Sequence, residues 1–125
     1  MEDDYNIPVG TEELKKLEPK LVIIKEVEIE ELQTKKNTRV KRLLCHVQHP
    51  DANDTILINE AKYAKNNVLV DTALWLNKDS KGELQKGSVI SMLLAKLGAK
   101  TIKELEMKSC ETVANAKGYL CFKLY

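Results

Sequence analysis

The chain is poor in aromatics (5%), has three cysteines, and its 20 Lys and Arg nearly cancel its 19 Asp and Glu. Each shortage excludes something. A formal net charge of +1 exerts no global attraction on nucleic acid or on a membrane surface, so any such signal must lie in local clusters. Three cysteines is an odd number, and no two form a CxxC pair. This argues against a disulfide framework and points to free thiols in a reducing, cytoplasmic setting. No apolar run approaches a membrane span; the longest tight one is Leu21-Val22-Ile23-Ile24. The acidic start Met1-Glu2-Asp3-Asp4 lacks the basic opening of a secretory signal. There is no GxSxG, P-loop or HExxH, and no carboxylate pair in an apolar context, so an enzyme is not expected. Internal repeats and low-complexity linkers are also missing.

What is present describes an ordinary globular domain. The 125 residues favour one domain, and 43% hydrophobic against 31% charged residues can build a core. Residues 1–19 read as a lead-in, with a short helix from a capping Thr11 to Glu18, ahead of Pro19. Alternation then predicts a strand over Leu21–Leu32, with Leu21, Ile23, Val27 and Ile29 on one face and Glu26, Glu28 and Glu30 on the other. Lys35-Lys36-Asn37-Thr38 reads as a hairpin tip. The returning strand Arg39–Gln48 has Leu43, Cys45 and Val47 inward and Arg42, Leu44 and His46 outward. After the turn cluster 49–54, strands are predicted over Thr55–Tyr63 and Val68–Leu76, joined at Asn66-Asn67.

The periodicity then changes. Ser88 caps a run with Ile90, Leu93, Leu94 and Leu97 at helical spacing, and Gly98 supplies the left-handed stop. Thr101-Ile102-Lys103-Glu104 is a capping box for one short helical turn. Glu111–Asn115 and Tyr119–Tyr125 are read as two closing strands. The chain is thus expected to be mainly β with one or two helices.

The order of elements over residues 20–125 resembles that of the OB fold, a five-stranded Greek-key barrel. The resemblance is carried by the long first strand, the helix Gly87–Gly98 and the final strand at Gly118-Tyr119-Leu120. It implies a five- to six-stranded barrel, with the helix between the third and fourth barrel strands closing its end. The stretch Val68–Leu76 departs from the minimal pattern, either as half of a bent third strand or as a hairpin insertion. A β-sandwich, or another small barrel with a packed helix, is the competing fold.

The OB resemblance also implies a site for single-stranded nucleic acid on the second and third strands and their flanking loops. Lys35, Lys36, Arg39, Lys41 and Arg42 supply dense local charge there, and His46 lies outward on the same strand. The alternative is a solvated hairpin balanced by Glu26, Glu28, Glu30 and Glu31. Trp75, the sole tryptophan, either stacks a base from the outer face or is turned into the core by a bulge. Tyr63 offers the same choice, and Tyr119 and Tyr125 alternate along the last strand.

No metal or cofactor is expected. Cys45 and His46 are strand neighbours on opposite faces and cannot chelate together, while Cys45 and Cys121 read as small core residues. Asp51-Ala52-Asn53-Asp54 lacks the glycine and closing glutamate of a calcium loop. Two functions follow. One is single-stranded DNA or RNA binding through Lys35, Lys36, Arg39, Lys41, Arg42, His46, Tyr63 and Trp75. The other is a non-enzymatic interaction or assembly module with a protein partner or a second copy, drawn from near-zero net charge and outward Leu44 and Leu69.

Overall fold

A computed structural model describes residues 17–125. The helix expected from Thr11 lies outside the described residues except for its last two positions, and residues 17–21 run without regular structure. The described chain is mainly β, with one α-helix and one 3-10 turn.

Strands β1 (Val22–Gln33) and β2 (Arg39–Gln48) form a long antiparallel hairpin. Its tip closes where the Thr34 N–H donates to the Thr38 carbonyl at 2.8 Å, and Asn37 takes a positive φ of 59°. Asparagine tolerates that left-handed region better than most residues. Strands β3 (Ile56–Ile58) and β4 (Glu60–Lys65) are one run interrupted at Asn59. Asn66 and Asn67, both at positive φ, reverse the chain into β5 (Val68–Ala73), which pairs antiparallel with β4. The extra strand is therefore a hairpin return and not a continuation of a bent third strand.

Helix α1 spans Val89–Leu97. Ser88 Oγ accepts the Ser91 N–H at 3.3 Å, and Gly98 ends the helix at φ 69°, as the residue types predict. A 3-10 turn at Lys103–Leu105 follows, and the Glu104 N–H within it donates to Thr101 Oγ1 at 3.3 Å. Strands β6 (Ser109–Cys110), β7 (Thr112–Ala114) and β8 (Leu120–Lys123) complete the chain.

The first sheet has the order β3-β2-β1-β6 and the second β5-β4-β8-β7, and together they curl into a half-barrel. The chain steps from one sheet to the other at Asn59 and again at Glu111. Between the sheets lies one core, in which Ile24, Leu43, Cys45, Val47, Ile58, Leu74 and Phe122 are fully or almost fully buried. Helix α1 adds Val89, Ile90, Leu93 and Leu94 to it.

The first strand corrects its predicted facing. Val22 and Ile24 are buried, whereas Leu21 and Ile23 are exposed. The cause is a β-bulge: Ile24 pairs with Val47 and Glu26 with His46, leaving Lys25 as the extra residue. The inward set is Val22 and Ile24 before Lys25 and Val27 after it; Ile29, expected on the same face, is 43% exposed because the hairpin there has run past the core. The bulge is held from its other edge. The Ile24 N–H donates to the Lys108 carbonyl, the Met107 N–H to the Ile24 carbonyl, and the Val27 N–H to Glu106 Oε2 at 3.3 Å.

His49, read as part of a polar turn, is fully buried. Its Nδ1 accepts the Asp51 N–H at 3.0 Å, so the proton sits on Nε2, which donates to the Glu18 carbonyl at 2.7 Å. The imidazole thereby pins the segment entering β1 to the turn leaving β2.

Deleting Lys25 removes the bulge and turns either Val22 and Ile24 or the Val27 side out of the core. A loss on the order of 3 kcal/mol or more in a urea melt is expected. Lys25→Ala keeps the bulge and should stay within about 0.5 kcal/mol of the parent.

Candidate nucleic-acid interface

The hairpin β1–β2 decides where each predicted cation points. Residues directly opposite in an antiparallel pair share a face. The outer face carries Glu26 opposite His46, Glu28 opposite Leu44, and Glu30 opposite Arg42. The other face carries Val27 with Cys45 and Ile29 with Leu43, then runs past the core to Glu31 with Lys41 and Gln33 with Arg39. The predicted cluster is therefore divided between two faces: Arg42 and His46 outward, Arg39 and Lys41 on the other side, Lys35 and Lys36 at the tip.

The acids of β1 meet several of these cations. Arg42 Nε and Nη2 reach Glu30 Oε2 at 3.2 and 3.1 Å. His46 Nε2 lies 3.0 Å from Glu28 Oε1, and Arg39 Nη1 3.4 Å from Glu31 Oε1. Lys35, Lys36 and Lys41 form no ion pair among the described residues. Leu44, although on the outer face, is only 7% exposed and offers no apolar contact surface.

Trp75 lies outside the core. Beyond β5 the chain bends at Leu74, where the Trp75 N–H donates to the Ala73 carbonyl at 2.9 Å, the i to i+2 pattern of a γ-turn. The bend redirects the chain onto β2. The Leu43 N–H donates to the Leu74 carbonyl and the Leu76 N–H to the Lys41 carbonyl, each at 2.8 Å. These bonds bracket Arg42 and Trp75 as a non-hydrogen-bonded pair, the closer of the two antiparallel arrangements. Leu74 is fully buried and Trp75 is 37% exposed, so the indole stands on the outer face, cross-strand from Arg42, whose guanidinium is turned to Glu30 on the other side of β2.

Past that pair, β2 and the segment after Trp75 separate into a fork. The opening is a cleft of about 440 Å³ with Arg39, Val40 and Lys41 on one wall, Trp75, Leu76, Asn77 and Lys78 on the other, and Gln85 behind. Three cations line it and no carboxylate does. The far wall is braced by a small hairpin: the Gln85 N–H donates to the Asn77 carbonyl, and Asp79 Oδ1 accepts the N–H groups of Lys81 and Glu83. Sequence reasoning passed over Asn77, Lys78 and Gln85. Continuing the alternation from Trp75 to Asn77 would have found the first of them.

Tyr63 does not join this site. It shares the face of the buried Ala61, on β4 of the second sheet, and is half-buried. Tyr119 is exposed on the outer side and borders a separate shallow groove of about 340 Å³ with Leu57, Asn59 and Lys117. The hairpin that carries Lys117 is held down, as Asp71 Oδ2 accepts the Ala116 N–H at 2.9 Å and Asn115 donates to Glu60.

The cysteines all lie in the interior. Burial pushes the thiols of Cys45 and Cys110 up to about 12 and that of Cys121 up to about 11. No protein-family model, curated protein or solved structure matches this chain.

The thiols give a check on the core. A raised thiol pKa keeps the folded state protonated where the unfolded state ionises, so stability is intact below about 9 and falls as pH rises toward 12. A disulfide reagent at neutral pH should leave all three thiols of the folded chain unmodified for hours and react with all three in denaturant. Fast reaction of any one in the native state contradicts its placement.

Proposed function

We propose that this chain is a single-stranded nucleic-acid-binding module built on an OB-type barrel. The strand pairings support the barrel. Taking β3–β4 and β6–β7 as single runs, the neighbours go β1, β2, β3–β4, β8, β6–β7 and back to β1. The one parallel contact among the described strands, Ala61 with Phe122, joins the third run to the last. Helix α1 falls between the third and fourth runs, with its apolar face in the core, where it acts as the plug.

The observation that carries the functional reading is Trp75: a 37% exposed indole beside Arg42, at the mouth of a cleft lined by Arg39, Lys41 and Lys78. An exposed indole stacks any base, and Lys41 and Lys78, which form no ion pair among the described residues, neutralise the backbone, with Arg39 shared with Glu31. Lys35 and Lys36 at the hairpin tip extend that charge. Arg42 acts here as a neighbour of the stacked base, since its charge is already met by Glu30.

A second reading, a binding surface for a protein or a second copy, draws on β5. Its Val68 and Leu69 are exposed, and its edge away from β4 is unpaired over those residues. Light scattering on the purified chain, across a concentration range, tests it. A strict monomer counts against self-association.

Trp75 makes the main test direct, because all indole emission comes from it. A labelled oligothymidylate of about twelve nucleotides should bind at about 50 mM salt and weaken at about 200 mM, quenching that emission. Trp75→Ala should weaken binding by about 1–3 kcal/mol. Lys35→Glu with Lys36→Glu should weaken it further and flatten the logarithmic salt slope by roughly 0.7 per lost phosphate contact. Lys65→Glu, on the opposite hairpin, is the control. Absence of binding at low salt with unchanged emission sinks the reading.

A further inference from the structure

The far wall of the fork has a feature that sequence-independent binding does not require. Trp75 and Asn77 are two residues apart on an extended segment and so share a face. Asn77 and Gln85 are cross-strand neighbours, joined by the 2.8 Å bond from the Gln85 N–H to the Asn77 carbonyl. On the opposite side of the same hairpin, Lys78 bridges to Leu84. The alternation therefore groups one indole and two primary amides on one surface, with all three lining the cleft.

Primary amides differ from lysines in what they recognise. Each offers an N–H donor and a carbonyl acceptor side by side, which is the pattern of a base edge and not of a phosphate. The Hoogsteen edge of a purine places the N7 acceptor next to a donor in adenine, or next to a second acceptor in guanine, and an amide pair can meet either. Pyrimidines have no N7, and their smaller rings overlap an indole less. The cleft volume of about 440 Å³ lies in the range that encloses a small ligand. Arg39, Lys41 and Lys78 stand around it to meet the adjoining phosphates.

We propose that the fork is a base-selective pocket taking a single purine, stacked on Trp75 and read by Asn77 and Gln85. This rests on the nucleic-acid reading above and deepens it, from backbone-driven binding to selection at one position.

The experiment uses the full chain and four strands of equal length: an all-thymidine oligonucleotide and three copies with one central adenine, guanine or cytosine. Trp75 quenching and anisotropy are read together. The expected result is that one purine, or both, tightens binding roughly five- to hundredfold over thymidine, and that cytosine does not. Gln85→Ala, and Asn77→Ala with Gln85→Ala, should abolish that increment, bringing the purine strands to the affinity of the all-thymidine strand for the same variant. An unchanged urea-melt midpoint shows that the variants are folded. Equal affinity for all four strands, an increment shared by cytosine, or an increment that survives in the double variant overturns the purine pocket and leaves the nucleic-acid reading standing. Failure of all four strands to bind overturns both.

Discussion

Leu74 is the residue on which the two sheets and the candidate site depend together. Its N–H donates to Asn59, at the break between β3 and β4, and its carbonyl accepts from Leu43 of β2. Its side chain is fully buried in the shared core. One residue thus ties the β3–β4 junction to β2 at the point where the second sheet hands its chain to the first. The γ-turn there has a directional consequence: with Leu74 anchored inward, Trp75 must point out, and the pairing with β2 sets it against Arg42. The exposure of a large indole follows from the packing of its neighbour and is not a local preference of tryptophan, which is usually well buried.

The second constraint is charge pairing along the hairpin. The acids of β1 stand opposite or diagonal to the cations of β2, but on the outer face Glu26, Glu28 and Glu30 outnumber Arg42, so that face keeps a negative excess. Exposed pairs of this kind contribute about 0–1 kcal/mol each. They therefore yield readily to a phosphate, but they also mean that Arg42 and Arg39 are not free charges. The cations without acid partners lie at the tip and along the fork, which shifts the electrostatic centre of the site away from the middle of β2.

The legible parts of the fold were those governed by local chemistry. Ser88 and Gly98 delimit a helix through their own hydrogen bond and φ, and Asn66-Asn67 turn a hairpin because asparagine tolerates positive φ. The extent of β2 matched its alternation to the residue. What was not legible depended on contacts far along the chain. The bulge at Lys25 is held by Glu106, Met107 and Lys108, about eighty residues away, and it reversed the facing of Leu21 and Ile23. Leu44 alternates outward yet is buried. At the site, the basic hairpin and Trp75 were visible, but the fork was not, because it exists only where β2 and the segment after Leu74 part company. Tyr63 is a case of the same kind: alternation gave its parity, and only the sheet assignment gave its location.

The acids of β1 also bear on which nucleic acid the proposed site would accept. Glu26, Glu28 and Glu30 line the outer face on the side of β2 away from Trp75. A single strand can keep its one backbone along the tip and fork, beside Lys35, Lys36, Lys41 and Lys78, and turn a base onto the indole. A duplex presents two backbones about a groove's width apart and keeps its bases stacked within, so one backbone would lie over the glutamates while no base reached Trp75. On the proposed reading, the same carboxylates that neutralise β2 repel the second strand. The acidic first strand, which looked at first like an argument against nucleic acid, becomes a reason for single-strand preference once the side of the sheet that carries Trp75 is known.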